Sequence, residues 1–202
     1  MIERRPKGRR FIQRKALRPA LEAAVCFDTL QRIETDSMLQ MPPEKPAVKM
    51  PAFRITDVAE SNFTSIPEPY RAVNQNRYNR PLSDHAGLNN FGVVLTRIVP
   101  GGQSSYRHAH SHQDEFMLVL EGEVELQTNA GTQTLTPGMC AGFPAGCGDA
   151  HRFVNRSSSD VILLVVGDRT ADDEITYPDV DMHGRLGPDG RYRFTTKSGQ
   201  PL

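Results

Sequence analysis

The chain has 202 residues, a length typical of one domain that buries a hydrophobic core without disulfide bonds. Its 24 basic and 24 acidic residues balance, so the overall charge favours neither a nucleic acid nor a membrane surface as partner. Three cysteines, Cys26, Cys140 and Cys147, follow no disulfide framework and predict free thiols in a reducing compartment. No apolar run approaches the roughly 20 residues of a membrane span, so we expect a soluble, cytoplasmic protein.

The first 47 residues differ in composition from the rest. Eight of the 24 Lys and Arg residues lie within the first 18 positions, and prolines at positions 42, 43 and 46 end the segment. Because prolines at this density block regular structure, the sequence predicts a poorly ordered basic extension over residues 1–47 and a separate domain over 48–202. Binding of the extension to DNA is a less favoured alternative, since it shows too little helical pattern for a helix-turn-helix.

From Phe53 onward the sequence is typical of an all-β domain. Short segments rich in Val, Ile, Leu, Thr and Phe alternate with Gly, Pro, Asn and Asp. Eight short strands with almost no helix between them predict a barrel or jelly roll. The predicted strands are Val93–Val99, Ser104–His110, Glu115–Leu120, Glu123–Gln127, Gln133–Leu135, Met139–Phe143, His151–Asn155 and Val161–Gly167. The polar tail over residues 172–202 is broken by Gly and Pro, and we expect it to wrap the barrel or to reach a neighbouring chain.

Two histidines and a glutamate form the first candidate site. His108 and His110 are two residues apart on a predicted strand, so both imidazoles point to one face. Glu115 opens the next antiparallel strand, where its carboxylate can close on the two histidines. Two His and one carboxylate suit iron and its first-row neighbours. Tyr106 precedes the histidines on the same face, and it is the one polar pocket residue for which we predict a catalytic role.

A second cluster lies between residues 138 and 155. Pro144 and the surrounding glycines predict a tight turn that returns His151 on a new strand. His151, Phe153 and Asn155 would share the inner face of that strand.

The two clusters together resemble the paired motifs of the cupin superfamily. The resemblance covers residues 91–168 by motif, and residues 50–202 more loosely. The first motif fits the family spacing throughout, and its residues are Gly102, His108, His110, Glu115 and Gly122. The second departs by having four residues, instead of the commoner two, between its last glycine and its histidine, and its residues are Gly138, Pro144, Gly146, His151 and Asn155.

The resemblance implies a fold, a ligand set and an assembly. It implies a double-stranded β-helix, the cupin jelly-roll barrel, which is usually dimeric. It implies one divalent first-row metal (Fe, Mn, Zn, Ni or Co), and its ligands would be His108, His110, Glu115 and His151. The chain is similar to small single-domain bacterial cupins, some of which carry sugar-phosphate isomerase names.

The favoured hypothesis is a metal-dependent enzyme that acts on a small polar molecule. Open metal positions would hold the substrate, and an apolar wall would exclude water. Oxygenase chemistry is slightly favoured over isomerase, decarboxylase and lyase chemistry. The alternative is a non-catalytic metal or small-ligand binding or sensor module, since one fold supports many functions.

Several other residues receive more ordinary interpretations. We expect a surface position for His85, His112 and His183, and turn positions near the mouth of the barrel for Cys147 and Asp149. Cys140 would be a small apolar filler on a strand. Besides Tyr106, we expect Met117, Val119 and Phe153 to line the pocket.

Overall fold

The computed structural model describes residues 51–202, and it confirms the predicted all-β fold. One short helix, α1 (Leu82–Ala86), and two 3₁₀ turns (Ile55–Asp57 and Tyr70–Asn74) accompany the strands. In chain order the strands are β1 (Arg77–Pro81), β2 (Phe91–Ile98), β3 (Ala109–His110), β4 (Glu115–Glu121), β5 (Val124–Thr128), β6 (Gly131–Leu135), β7 (Cys140–Phe143), β8 (Arg152–Val154), β9 (Val161–Asp168), β10 (Glu174–Tyr177), β11 (Met182–Leu186) and β12 (Tyr192–Thr195). The predicted extension over residues 1–47, and its boundary with the domain, lie outside the described residues.

The strands form three antiparallel sheets. The largest has the order β1-β2-β9-β4-β7, a second has the order β12-β11-β10-β3, and a third has the order β6-β5-β8. Isolated bridges between His108 and His151, and between Gln103 and Val154, join the segment before β3 to the β8 region. The two smaller sheets are therefore connected along the segment that carries the candidate histidines.

The main core lies between the five-stranded sheet and the sheet of β5, β6 and β8. The register places Met117 opposite Val165 and Val119 opposite Leu163, so these side chains share the inner face. Phe153 and Leu163 are fully buried in this core. Burial of apolar area contributes roughly 25 cal/mol per Å², so these side chains stabilise this end of the barrel.

The C-terminal tail differs from its predicted form. It is a three-stranded meander, β10 to β12, whose first strand pairs with β3 through Ile175 opposite His110. Its inward residues form a second core, which contains Ile175, Tyr177 and Met182. Of the residues that we interpreted as breaks, Gly187, Pro188 and Gly190 form the turn between β11 and β12. Gly184 lies within β11.

One motif glycine has a steric role at the base of the ligand-bearing strand. Gly122 follows the last residue of β4 and has φ +78°, and a Cβ atom there would lie 2.6 Å from the carbonyl oxygen of Asp160. Both the backbone conformation and the close approach exclude other residues. Gly122 therefore allows β4 to turn into β5 against the Ser159–Asp160 loop.

Candidate metal centre

The two predicted motifs meet where β3, β4 and the start of β8 come together. The backbones of His108 and His151 bond to each other in both directions, at 3.1 and 2.9 Å. The four residues between Gly146 and His151 form a longer turn, which Asn129 holds through the carbonyl of Gly148 and the carboxylate of Asp149. The longer gap in the second motif therefore does not displace His151 from His108.

Three of the four predicted ligands form one compact cluster. A ligand atom from each of His108, His110 and Glu115 lies within 4.8 Å of the other two. His151 is not a member of this cluster, although its ring is 4.8 Å from that of His108, centroid to centroid. Its role as a fourth ligand therefore stays a prediction.

Hydrogen bonds orient both histidines of the cluster for metal binding. The Nδ1–H group of His108 donates to the carbonyl oxygen of Tyr106 at 2.9 Å. The Nδ1 atom of His110 bonds to the carboxylate of Asp173 at 2.6 Å. These bonds leave the Nε2 atom of each ring free, an arrangement typical of metal-binding histidines. The donor set and its supporting contacts thus fit a first-row divalent ion.

Asp173 is the most important site residue that the sequence interpretation missed. It is fully buried, and its second oxygen accepts a hydrogen bond from the backbone of His112 at 2.8 Å. Tyr192 donates to the oxygen that also contacts His110, at 2.7 Å. Burial alone raises the pKa of Asp173, but its hydrogen bonds with His112, His110 and Tyr192 outweigh this and lower it. Asp173 is therefore a buried anion that holds His110 in place.

His151 differs from the other two histidines in its contacts. Its Nε2–H group donates to Glu115 at 2.7 Å, and its Nδ1 atom is buried without a partner among the described residues. Its ring stacks on Phe143, with centroids 3.4 Å apart. His151 thus holds Glu115, and its ring nitrogens lack the outer acceptor that orients His108 and His110.

The charge states of the cluster suit metal binding. Burial lowers the pKa of His108 to about 4, so its ring is neutral at pH 7. Burial alone raises the pKa of Glu115, but the hydrogen bond from His151 and the nearby imidazoles lower it to about 2. A neutral imidazole and an ionised carboxylate are the forms that bind a metal.

A cavity of about 380 Å³ opens onto His108, Glu115 and His151. This volume is at the small end of the usual range for small-molecule pockets. As predicted, Met117 and Phe153 line it. The wall is only partly the apolar surface that we expected. Its apolar residues are Phe63, Ile66, Val94, Met117, Phe153, Val165, Ile175 and Phe194, and its other polar residues are Thr64, Ser65, Arg77, Asn79, Thr96, Ser104, Ser105, Tyr177 and Tyr192.

Tyr106 and Val119 are not lining residues, and the predictions that placed them in the pocket are wrong. Tyr106 packs against the second core, with its ring edge-on to Tyr70 at 5.9 Å between centroids. Val119 is buried in the main core instead. The tyrosines that reach the cavity are Tyr177 on β10 and Tyr192 on β12.

For the other predicted histidine and cysteine positions, the structure confirms some predictions and corrects others. His85 and His112 are exposed as predicted, whereas His183 is half-buried beside Glu174. Cys147 is exposed in its turn, and Cys140 is also exposed, so it is not an apolar filler. Both of these thiols are free.

The fold and site together define a β-barrel protein with a partly buried His-His-Glu cluster, of which His108 and Glu115 line a cavity. Residues 94–167 match the family model described as Cupin domain. A solved structure from Silicibacter pomeroyi, described as a sugar phosphate isomerase from a cupin superfamily, is 39% identical, with a TM-score of 0.72; the match covers 75% of this chain and 96% of that one. The chain belongs to the cupin superfamily.

Two further solved structures extend the comparison. One from Acidithiobacillus ferrooxidans, with a provisional sugar phosphate isomerase name, is 28% identical over 62% of this chain and 80% of that one, with a TM-score of 0.56. A polyketide cyclase from Streptomyces resistomycificus is 24% identical over 59% and 80%, with a TM-score of 0.50, and shares the fold. No curated protein matches the chain. Among the described residues, no helix is long and apolar enough to cross a membrane.

Proposed function

We propose that this protein is a metal-dependent enzyme that acts on a small polar molecule, with His108, His110 and Glu115 as metal ligands. The observation that carries the proposal is the outward bonding of both Nδ1 atoms, which leaves the Nε2 atoms of His108 and His110 free in a cluster with the Glu115 carboxylate. Two members of that cluster, His108 and Glu115, line the cavity. When bound there, a divalent metal supplies Lewis-acid polarisation of a substrate oxygen.

Isomerase chemistry, by proton transfer within a hydroxylated molecule, is the reaction we favour. The 39% identical relative is described as a sugar phosphate isomerase, and the cavity wall is rich in hydroxyl and amide groups. Burial raises the pKa of Tyr177, so its phenol stays protonated and suited to donate to a substrate oxygen. This order reverses the slight preference for oxygenase chemistry that the ligand set alone suggested.

Metal content is the direct test. We expect about one first-row metal per chain in protein purified without an affinity tag, and its loss in His110→Ala. His112→Ala is a matched control, because His112 is exposed two residues away. Because His110→Ala leaves Asp173 without a partner, His108→Gln serves as a second variant, and circular dichroism checks the fold of each.

Activity separates the enzyme from a binding module. Metal-loaded protein would be incubated with a panel of aldose and ketose phosphates and followed by NMR. Turnover that disappears in His110→Ala and persists in His112→Ala supports the proposal. Wild-type protein that stays metal-free after supplementation would refute it, and metal without turnover would favour the non-catalytic binding or sensor module.

We also propose that the protein is a homodimer joined through the outer face of the five-stranded sheet. The register places Phe116 opposite Val166 and Leu118 opposite Leu164 on that face. Phe116 and Leu120 remain 43% and 39% exposed. β4 and β9 are thus apolar on both faces, which is typical of strands covered on both sides. An apolar face of this kind can pair with its own copy about a two-fold axis.

Light scattering after size-exclusion chromatography tests the dimer. We expect a dimer mass for the wild type and a monomer mass for Phe116→Glu. Ile55→Glu is the control, because Ile55 is 46% exposed but lies outside the sheet. A monomeric wild type at micromolar concentration would refute the proposed interface.

A further inference from the structure

Arg77 is a half-buried cation whose hydrogen bonds are incomplete. Its Nη1 atom donates to the carbonyl oxygen of Ser104 at 2.7 Å. Its Nε atom is buried and has no partner among residues 51–202. A buried guanidinium that meets only a neutral carbonyl is costly, because its charge has lost most of its hydration.

Other half-buried arginines of the domain show the contrast. Arg97 lies 2.7 Å from Glu60 and 3.0 Å from Asp160. Arg107 lies 2.7 Å from Asp179. Within the described part of the chain, no carboxylate lies within 4 Å of the guanidinium of Arg77. Among the described residues, Arg77 therefore has no direct ion-pair partner, and the carboxylate of Glu115 acts on its charge only from a longer distance.

The position of Arg77 shows where an anionic group that pairs with it would sit. Arg77 begins β1, opposite Ile98, and lines the cavity that opens onto Glu115 and Tyr177. Glu115 is the only acidic side chain among the lining residues described. With a divalent ion on the cluster, the charges of the ion and of Arg77 exceed those of Glu115 and the buried Asp173 behind His110. The loaded cavity is thus electropositive and attracts anions.

We propose that Arg77 binds the anionic group of the substrate, a phosphate or a carboxylate, while the metal holds oxygens at the other end of the same molecule. The proposal rests on the proposed function, because the metal cluster supplies the second point of attachment. A guanidinium suits this role, since its planar N–H groups match the oxygens of both anions. A cavity of about 380 Å³ has room for a molecule of this size and a few ordered waters.

Isothermal titration of full-length, metal-loaded protein tests the proposal with three probes: inorganic phosphate, malonate and neutral glucose. We expect the anions to bind the wild type more tightly than glucose, and Arg77→Gln to weaken anion binding roughly 10- to 100-fold. Arg77→Lys keeps the positive charge but loses the planar set of N–H donors, so its affinity for the anions should lie between that of the wild type and that of Arg77→Gln. Arg156→Gln is the control, because Arg156 is 65% exposed and lies outside the cavity lining.

The outcomes separate this proposal from the metal proposal. Tighter binding of phosphate than of malonate identifies a phosphate group as the natural anion, and the reverse order identifies a carboxylate. Equal anion binding by the wild type and Arg77→Gln, or no preference of the wild type for anions over glucose, overturns the role of Arg77. Arg77-dependent anion binding in protein that stays metal-free even after supplementation supports the anion site while refuting the metal cluster.

Discussion

Substitution of Asp173 by Asn tests how the C-terminal meander supports the metal site. Asp173 is fully buried and accepts hydrogen bonds at both oxygens, from His112 on one and from His110 and Tyr192 on the other. An Asn side chain has the same shape but turns one acceptor into a donor. Whichever way the amide is oriented, its NH₂ group faces at least one N–H or O–H donor.

The expected loss follows from the bonds that disappear. Each hydrogen bond to a buried carboxylate contributes roughly 1.5–3 kcal/mol, and removal of a buried charge offsets part of that loss. We expect Asp173→Asn to lower the free energy of unfolding of the metal-free protein by about 3 kcal/mol, or roughly 6–12 °C in melting temperature. We expect metal affinity to fall roughly 10- to 100-fold, because His110 loses its orienting partner.

Two measurements and one control make this prediction sharp. Melting of metal-free protein reports the hydrogen-bond network, and competition against a chromophoric chelator reports metal affinity. Asp172→Asn is the matched control, because Asp172 is exposed and its positive φ of 61° suits Asn. An Asp173→Asn variant that melts at the wild-type temperature would refute the claim that the hydrogen bonds of Asp173 stabilise the fold. Unchanged metal affinity would refute the orienting role.

Three further predictions concern the barrel and the cluster. Gly122→Ala should lower the free energy of unfolding, measured by chemical denaturation, by roughly 2–4 kcal/mol, because its Cβ would clash with Asp160. Gly138→Ala, at a position with positive φ but open space, should lower it by about 1 kcal/mol. The free energy of unfolding of the metal-free protein should fall by up to about 3 kcal/mol between pH 6.5 and 4. The reason is that burial lowers the pKa of His108 to about 4, so the unfolded chain takes up the proton first as the pH falls. A wild-type unfolding free energy that does not change with pH, or a pH dependence that persists in His108→Gln, would contradict this. His151→Gln should weaken metal binding roughly 10- to 100-fold in the chelator assay, and an unchanged affinity would show that His151 neither binds the metal nor positions Glu115.

The central strands could be predicted because their side chains follow one simple rule. Apolar residues fill β4 and β9, and the alternating spacing brings His108, His110 and Glu115 into one cluster. The predicted strand Ser104–His110 is shorter in the structure, where β3 holds only Ala109 and His110, and His108 forms an isolated bridge. Ligand spacing within a motif depends on local backbone geometry, which the sequence displays directly. The fold class and the three-residue cluster were therefore accessible without the structure.

The parts that were missed depend on contacts between distant segments. β1 is not recognisable as a strand, because its inward residues Arg77 and Asn79 are polar and serve the cavity rather than the core. The tail alternates Ile175 and Tyr177 with polar residues, but we interpreted its Gly and Pro residues as breaks in a wrapping segment rather than as signs of hairpin turns. Asp173 could have been suspected as a histidine partner only after β10 was placed beside β3.

The location of these residues bears on how function should be inferred across the superfamily. The family model matches residues 94–167, which contain the metal cluster. Arg77 lies before this segment, and Asp173, Tyr177 and Tyr192 lie after it. In the proposed function, the matched segment supplies the metal ligands, while the flanking strands β1, β10 and β12 supply the charge and hydroxyl groups that would contact the substrate. Relatives that share the ligands but differ at the positions of Arg77 and Tyr177 should differ in the molecule they bind, so the flanking strands are the better guide to the reaction.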